Sequence, residues 1–141
     1  MLESRGGLHD LVVVDLFCGS GALGIEAMSR GATKVYFVDT DPACLAAVKI
    51  NLEPLHLDAE AVFVRATLPV WSPPPDVELL LADPPYGPFD LDRVLHGVSA
   101  QRVIIENDRH MDAPVGWIVT KTKRYGTTLV TMLEPSEGSG E

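Results

Sequence analysis

The sequence predicts an α/β domain of Rossmann-like type: a mostly parallel sheet, helices on both faces and an antiparallel hairpin at the C-terminal end. Three observations predict it. Short β-branched apolar runs alternate with helical stretches, a Gly-rich turn follows the first run, and the last two runs are almost contiguous. Repeated β–α units give parallel strands, because each crossover helix returns the chain to the same end of the sheet. Such sheets bind ligands beyond the carboxyl ends of their strands.

The elements follow in order. Leu11-Val12-Val13-Val14-Asp15-Leu16 is an apolar, β-branched run of the kind found in a buried parallel strand. After the Gly-rich turn a helix runs to about Arg30, with Gly31 as its C-terminal stop. Val35-Tyr36-Phe37-Val38-Asp39 is the second strand. Asp41-Pro42 opens a helix to about Leu52, Asp capping it and Pro fitting its first turn. Ala61-Val62-Phe63-Val64 is a third strand, and the Pro-rich stretch 69–75 is a loop. Val77-Glu78-Leu79-Leu80-Leu81-Ala82 is a fourth strand, stopped by Asp83-Pro84-Pro85-Tyr86, since neither Pro can donate to a central ladder. A helix over 91–98 leads to a strand over 102–106. Two strands, 117–123 and 127–133, then form a hairpin with Tyr125-Gly126 as its turn. The domain is read as 11–134, with a short extension over 1–10 and a disordered polar tail over 135–141.

At 141 residues, 46% hydrophobic and 22% charged, the chain suits a single soluble domain. No apolar run approaches the roughly 20 residues that span a bilayer, and the first residues lack the apolar core of a signal peptide, so a cytoplasmic location without membrane contact is expected. Cys18 and Cys44 lack metal-ligand spacing and read as reduced small hydrophobes. The four histidines are scattered, and no metal site is expected. The net charge of −9 is unfavourable for phosphate binding, although Lys121, Lys123 and Arg124 form a local basic stretch. Those three residues read as phosphate contacts or as a solvated strand face.

Gly19, Gly21 and Gly24 fit G-x-G-x-x-G, and Asp39 ends the following strand. That pattern alone fits a dinucleotide cofactor or a tight β–α turn without a ligand. Asp15 argues against a dinucleotide: four residues before Gly19, it would repel the pyrophosphate. S-adenosylmethionine has no phosphate and carries an ammonium and a sulfonium, so an acid there attracts it. Asp39 is placed to accept hydrogen bonds from ribose hydroxyls.

Asp83-Pro84-Pro85-Tyr86 falls at the end of the fourth strand, beside the expected methyl donor. An exocyclic base amine is a poor nucleophile, its lone pair being delocalised into the ring. The Asp83 carboxylate and the Pro84 carbonyl provide two acceptors for the amine hydrogens and so orient that lone pair. The prolines fix the backbone, and Tyr86 offers a face for stacking an extruded base. The alternative is a Pro-Pro turn with a surface Tyr.

Together these segments resemble the bacterial RsmD-type methyltransferases. The resemblance rests on residues 15–24 with Ile25-Glu26-Ala27, on Ser29-Arg30-Gly31-Ala32, on 83–86, on Ile105-Glu106 and on Arg124-Tyr125-Gly126-Thr127. It implies a class I methyltransferase fold and an S-adenosylmethionine-dependent enzyme. The implied target is the exocyclic N2 of a guanine in small-subunit ribosomal RNA, within an assembled particle and with the enzyme as a monomer. It implies cofactor contacts from Asp15, Phe17, Gly19, Ser20, Gly21, Gly24, Asp39, Thr40, Ala66 and Thr67. It places Asp83, Pro84, Pro85 and Tyr86 at the reacting base, with Glu106, Lys121, Lys123 and Arg124 as further substrate contacts. Glu106 reads equally as a residue steadying the substrate loop or as an exposed strand-end acid. Two departures stand out. Only ten residues precede Leu11, where the family has some forty, as a truncated chain would show; and Arg65-Ala66-Thr67 replaces the usual Asp or Asn after the third strand. The motifs also suit adenine N6 or cytosine N4 in DNA, or a domain that binds cofactor or ribosome without catalysis.

Overall fold

The computed structural model describes residues 8–67, 73–84, 91–96 and 98–136. Strand β1 (Val12–Leu16) is followed by helix α1 (Ala22–Ser29), β2 (Lys34–Asp39), α2 (Pro42–Leu52), a 3-10 turn over Glu53–Leu55 and β3 (Glu60–Arg65). Then come β4 (Leu79–Ala82), α3 (Leu91–Leu95), β5 (Arg102–Asn107), β6 (Trp117–Tyr125) and β7 (Thr128–Pro135). One seven-stranded sheet has the order β3-β2-β1-β4-β5-β7-β6. Strands β1 to β5 pair in parallel, while β7 runs antiparallel to both β5 and β6.

Side-chain alternation along the central strands separates two cores. Val13, Val35, Phe37, Leu79 and Leu81 pack against Ala27 and Met28 of α1 and Leu45 and Val48 of α2. Val14, Val38, Leu80 and Val103 face the other way and meet Val94 and Leu95 of α3. Both faces of the parallel strands are thus covered, which is why these strands read as continuous apolar runs. Helix α2 starts as its sequence dictates: the Asp41 side chain accepts a hydrogen bond from Ala43 N at 2.9 Å, and Pro42 occupies the first turn.

The structure moves some boundaries. Tyr125 pairs with Thr128, so it is a strand residue, and the hairpin turn is Gly126-Thr127 rather than Tyr125-Gly126. The cause is register, since the last β6–β7 pair closes a two-residue loop. Strand β6 has a register shift between Val119 and Lys121 and is exposed over nearly its whole length, as the outer edge of the sheet. The helix expected over 91–98 is assigned only to Leu95, with Gly97 outside the described residues. Strand β7 continues to Pro135, one residue into the stretch expected to be tail; 137–141 are not described.

Candidate active site

The carboxyl ends of the parallel strands bring the motif residues to one edge of the sheet. Leu16 of β1 is level with Val38 of β2 and Ala82 of β4, and Ala82 is level with Ile105 of β5. Asp15, Asp39, Asp83 and Glu106 therefore belong to four neighbouring strand ends.

The loop between β1 and α1 is pinned from β2. Cys18 N donates to Val38 O at 3.1 Å, and Gly19 N donates to Asp39 Oδ2 at 3.1 Å. The other Asp39 oxygen accepts from Asp41 N at 3.0 Å. Asp39 thus fastens two loops, and its carboxylate has acceptor capacity beyond these two bonds, with the Cys44 thiol also within hydrogen-bonding reach. From α2, Asn51 Nδ2 donates to Ser20 O at 3.0 Å. The sequence reading had not singled out Asn51; its place as the penultimate residue of α2 gave no local signal.

The three motif glycines have different reasons. Gly19 adopts φ +54, and a Cβ there would meet nothing within 4 Å, so its surface opens outward and leaves backbone accessible to a ligand. Gly21 and Gly24 are instead required by packing. A Cβ at Gly21 would lie 2.9 Å from the Val48 side chain, and one at Gly24 would lie 2.5 Å from the Phe37 ring. Packing alone therefore accounts for the missing side chain at Gly21 and Gly24. Phe17 holds φ +57 without being glycine, a strained conformation at the mouth of this loop.

Asp15 is only 1% exposed. Its Oδ2 accepts from Gly24 N at 3.0 Å, so a strand residue satisfies a first-turn amide of α1, whose own N-cap, Gly21, has no side chain. Strand alternation turns Asp15 beneath α1 rather than outward over the strand tips. Burial pushes its carboxyl up to about 7; the Gly24 hydrogen bond opposes this, and the charges of Asp83, Asp39 and Glu106 add to it. Burial, with Asp15 and Asp39 nearby, likewise pushes the Cys18 thiol up to about 12, so it is not a thiolate nucleophile.

Asp83 and Pro84 lie just beyond the end of β4. Partial burial raises the Asp83 carboxyl. Glu106, half-buried on β5, is raised by burial and then by the charges of Asp83 and Glu26. On the α1 face of the sheet, a cleft of about 660 Å³ runs between α1 and the β6–β7 hairpin. Leu81 and Ile104 help form its apolar lining, and Leu23 and Glu26 of α1 line it too. Glu106, Lys123 and Tyr125 complete its lining on the strand side. Leu23 and Glu26 fall in the segments that carry the resemblance but had no site role in the sequence reading, although their i, i+3 spacing marks one helix face.

The remaining expected residues are distributed unevenly. Ser20, Thr40 and Thr67 are exposed at the same edge, and Ala66 N donates to Asp39 O at 3.1 Å, tying β3 to β2. The basic stretch is divided: Lys121 and Lys123 pair with Met132 and Val130, whose side chains join the α1-side core, whereas Arg124 pairs with Leu129 and alternates to the opposite face. The three do not form one cluster. Lys123 Nζ sits 5.2 Å from the Tyr125 ring centroid. Pro85 and Tyr86 lie outside the described residues. No helix among the described residues is long and apolar enough to cross a membrane.

Comparison with known proteins bears on the same geometry. The family model described as "Conserved hypothetical protein 95" matches residues 1–134. YlbH of Bacillus subtilis, named provisionally as an rRNA methyltransferase, is 34% identical over 134 residues, covering 84% of this chain and 73% of that protein. Ribosomal RNA small subunit methyltransferase D of Haemophilus influenzae is 29% identical over 134 residues, covering 84% and 69%. A ribosomal protein L11 methyltransferase of Cellvibrio japonicus is 44% identical, but over 80 residues, covering 57% of this chain and 26% of that protein. Among solved structures, the ribosomal protein L11 methylase of Lactobacillus delbrueckii superposes with a TM-score of 0.73 at 17% identity, covering 94% of this chain and 74% of that one. The fold is that of the class I S-adenosylmethionine-dependent methyltransferases. The chain belongs to the RsmD-type family, the one whose model carries the description conserved hypothetical protein 95.

Proposed function

We propose that this chain is an S-adenosylmethionine-dependent RNA methyltransferase that modifies the exocyclic N2 amine of a guanine in small-subunit ribosomal RNA. The observation that carries the reading is the position of Asp83 and Pro84 directly after β4, level with Glu106 and next to the Gly19 loop of β1. The names of the Bacillus subtilis and Haemophilus influenzae relatives support RNA as the substrate class.

The residues present fit the cofactor. Gly19 opens outward, Asp39 retains acceptor capacity for ribose hydroxyls, and four acids at neighbouring strand ends favour a cation over a phosphate-bearing dinucleotide. Gly19, Ser20, Asp39, Thr40, Ala66 and Thr67 would hold it, with Phe17 shaping the loop and Asp15, Gly21 and Gly24 supporting it from beneath. When bound, S-adenosylmethionine supplies an electrophilic methyl group. Asp83 accepts one amine hydrogen and the Pro84 carbonyl the other, which turns the nitrogen lone pair outward and stabilises positive charge developing on it. Asp83 must be ionised to do so, and its raised pKa means that lowering the pH removes the acceptor.

Asp83→Ala is expected to lower transfer by at least about 100-fold while leaving S-adenosylmethionine affinity within a few-fold of wild type. Single-turnover transfer and calorimetry measure the two separately, and retained transfer would refute the assigned role. The local likeness to L11 methyltransferases favours, as a second reading, an amine of a ribosomal protein. Incubating small subunits with labelled cofactor and separating RNA from protein distinguishes the two: label in the protein fraction alone would establish the second.

A further inference from the structure

The pairing of Ala82 with Ile105 makes the next residues of β4 and β5, Asp83 and Glu106, level at the edge of the sheet. Strand alternation puts Glu106 on the same side as Ile104, and both line the cleft between α1 and the hairpin. Among the described residues, neither the Asp83 nor the Glu106 side chain has a hydrogen-bond or ion-pair partner. Two level carboxylates at one edge, Asp83 exposed and Glu106 half-buried, repel one another unless a ligand with several N–H donors uses them. The cleft is of a size that holds a small ligand, and its apolar lining and Tyr125 ring suit a planar one.

A base turned out of its strand is read on its Watson–Crick edge. Guanine offers two kinds of donor there: the N2 amine and, beside it, N1–H. Adenine at N1 and cytosine at N3 present an acceptor instead. If Asp83 and the Pro84 carbonyl are occupied by the amine hydrogens, N1–H still needs an acceptor. We propose that Glu106 is the specificity-determining residue of this site, its carboxylate accepting a hydrogen bond from guanine N1–H. The inference rests on the methyl-transfer reading above and adds to it the reason that guanine is chosen. An acceptor at N1 of a wrong base would face the Glu106 carboxylate, leaving two acceptors opposed and unpaired in a partly dry cleft. Leu23 and Tyr125 would flank the ring, and Lys123 stands at the same wall for the phosphate of that nucleotide.

The discriminating probe is 2-aminopurine, which keeps the C2 amine but carries no hydrogen on N1. The guanine methylated by wild-type enzyme is first mapped in small-subunit RNA, and two short synthetic RNAs are then made, with guanine or 2-aminopurine at that position. Wild-type enzyme is expected to favour guanine by about 30-fold or more in kcat/KM. Glu106→Gln, which offers both an acceptor and a donor, and Glu106→Ala, which offers neither, are both expected to reduce that preference to within about 5-fold. S-adenosylmethionine affinity and the melting temperature are the controls for folding and for the cofactor site. A wild-type enzyme that methylates both RNAs equally, or variants that keep the full preference, would overturn the assignment while leaving the methyltransferase reading intact. A wild-type enzyme that methylates no guanine at all overturns that reading instead, and this one with it.

Discussion

Asp15 shows how one residue serves fold and site with opposing demands. The folded state holds its carboxyl at about 7 against an ordinary value of 3.8, chiefly through burial. Because the folded pKa is raised, the native chain binds the proton more tightly than the unfolded chain. The contribution of this carboxyl to stability is therefore greatest below about pH 4, falls as pH rises toward 7, and is level above that. The whole shift corresponds to roughly 4 kcal/mol, an upper bound. Asp15→Asn keeps an acceptor for Gly24 N without the buried charge. It is expected to raise the melting temperature at pH 8 by several degrees while changing it little at pH 4. The same variant should bind S-adenosylmethionine at least about 10-fold more weakly at pH 8, since the negative charge beneath the cofactor loop is gone. Thermal melts at the two pH values, paired with calorimetry, check both halves; a variant less stable at pH 8 would contradict the assignment of burial as the dominant cause.

At the scale of elements, the Gly-rich loop joins a strand and a helix that must approach closely, and its glycines divide between that approach and the ligand. Gly24→Ala pushes a methyl group into Phe37 and the Asp15 carboxylate, so it is expected to destabilise the chain by about 1–3 kcal/mol. Gly19→Ala meets open space and bears only the strain of its left-handed backbone, about 1 kcal/mol. Its main effect is expected on cofactor affinity. Denaturant unfolding and cofactor titration of the two variants separate these roles, and equal losses of stability would contradict the division. The motif spacing identified the loop, yet it could not tell packing glycines from open ones, because Phe37 and Val48 approach only through the tertiary fold. For the same reason the strand cores were legible while their ends were not. The apolar runs carry β1, β2 and β4 plainly, whereas Tyr125 and Thr128 become a pair only through hairpin register. Asp41-Pro42 needed no tertiary information, and α2 begins there.

For the whole molecule, the strand order β3-β2-β1-β4-β5-β7-β6 gathers residues separated by about ninety positions onto one edge. The alternation of strands and helices made the parallel sheet and its C-terminal hairpin legible from sequence, and with them the gathering of the motif residues of the candidate site at one edge. The cleft between α1 and the hairpin was not, because its walls come from α1, β4, β5, β6 and β7 together. Nor did sequence show that strand alternation divides Lys121, Lys123 and Arg124 between two faces. The net charge of −9 belongs to the same scale: an acidic body with a divided basic stretch has little electrostatic means of holding naked RNA. The central claim is that this edge methylates guanine. The most direct test is to incubate the protein with labelled S-adenosylmethionine and unmodified small ribosomal subunits, digest the RNA to nucleosides and identify the product. The account predicts label in N2-methylguanosine, and abolition of that product by Asp83→Ala. Label in another nucleoside, or in protein with none in RNA, would contradict it.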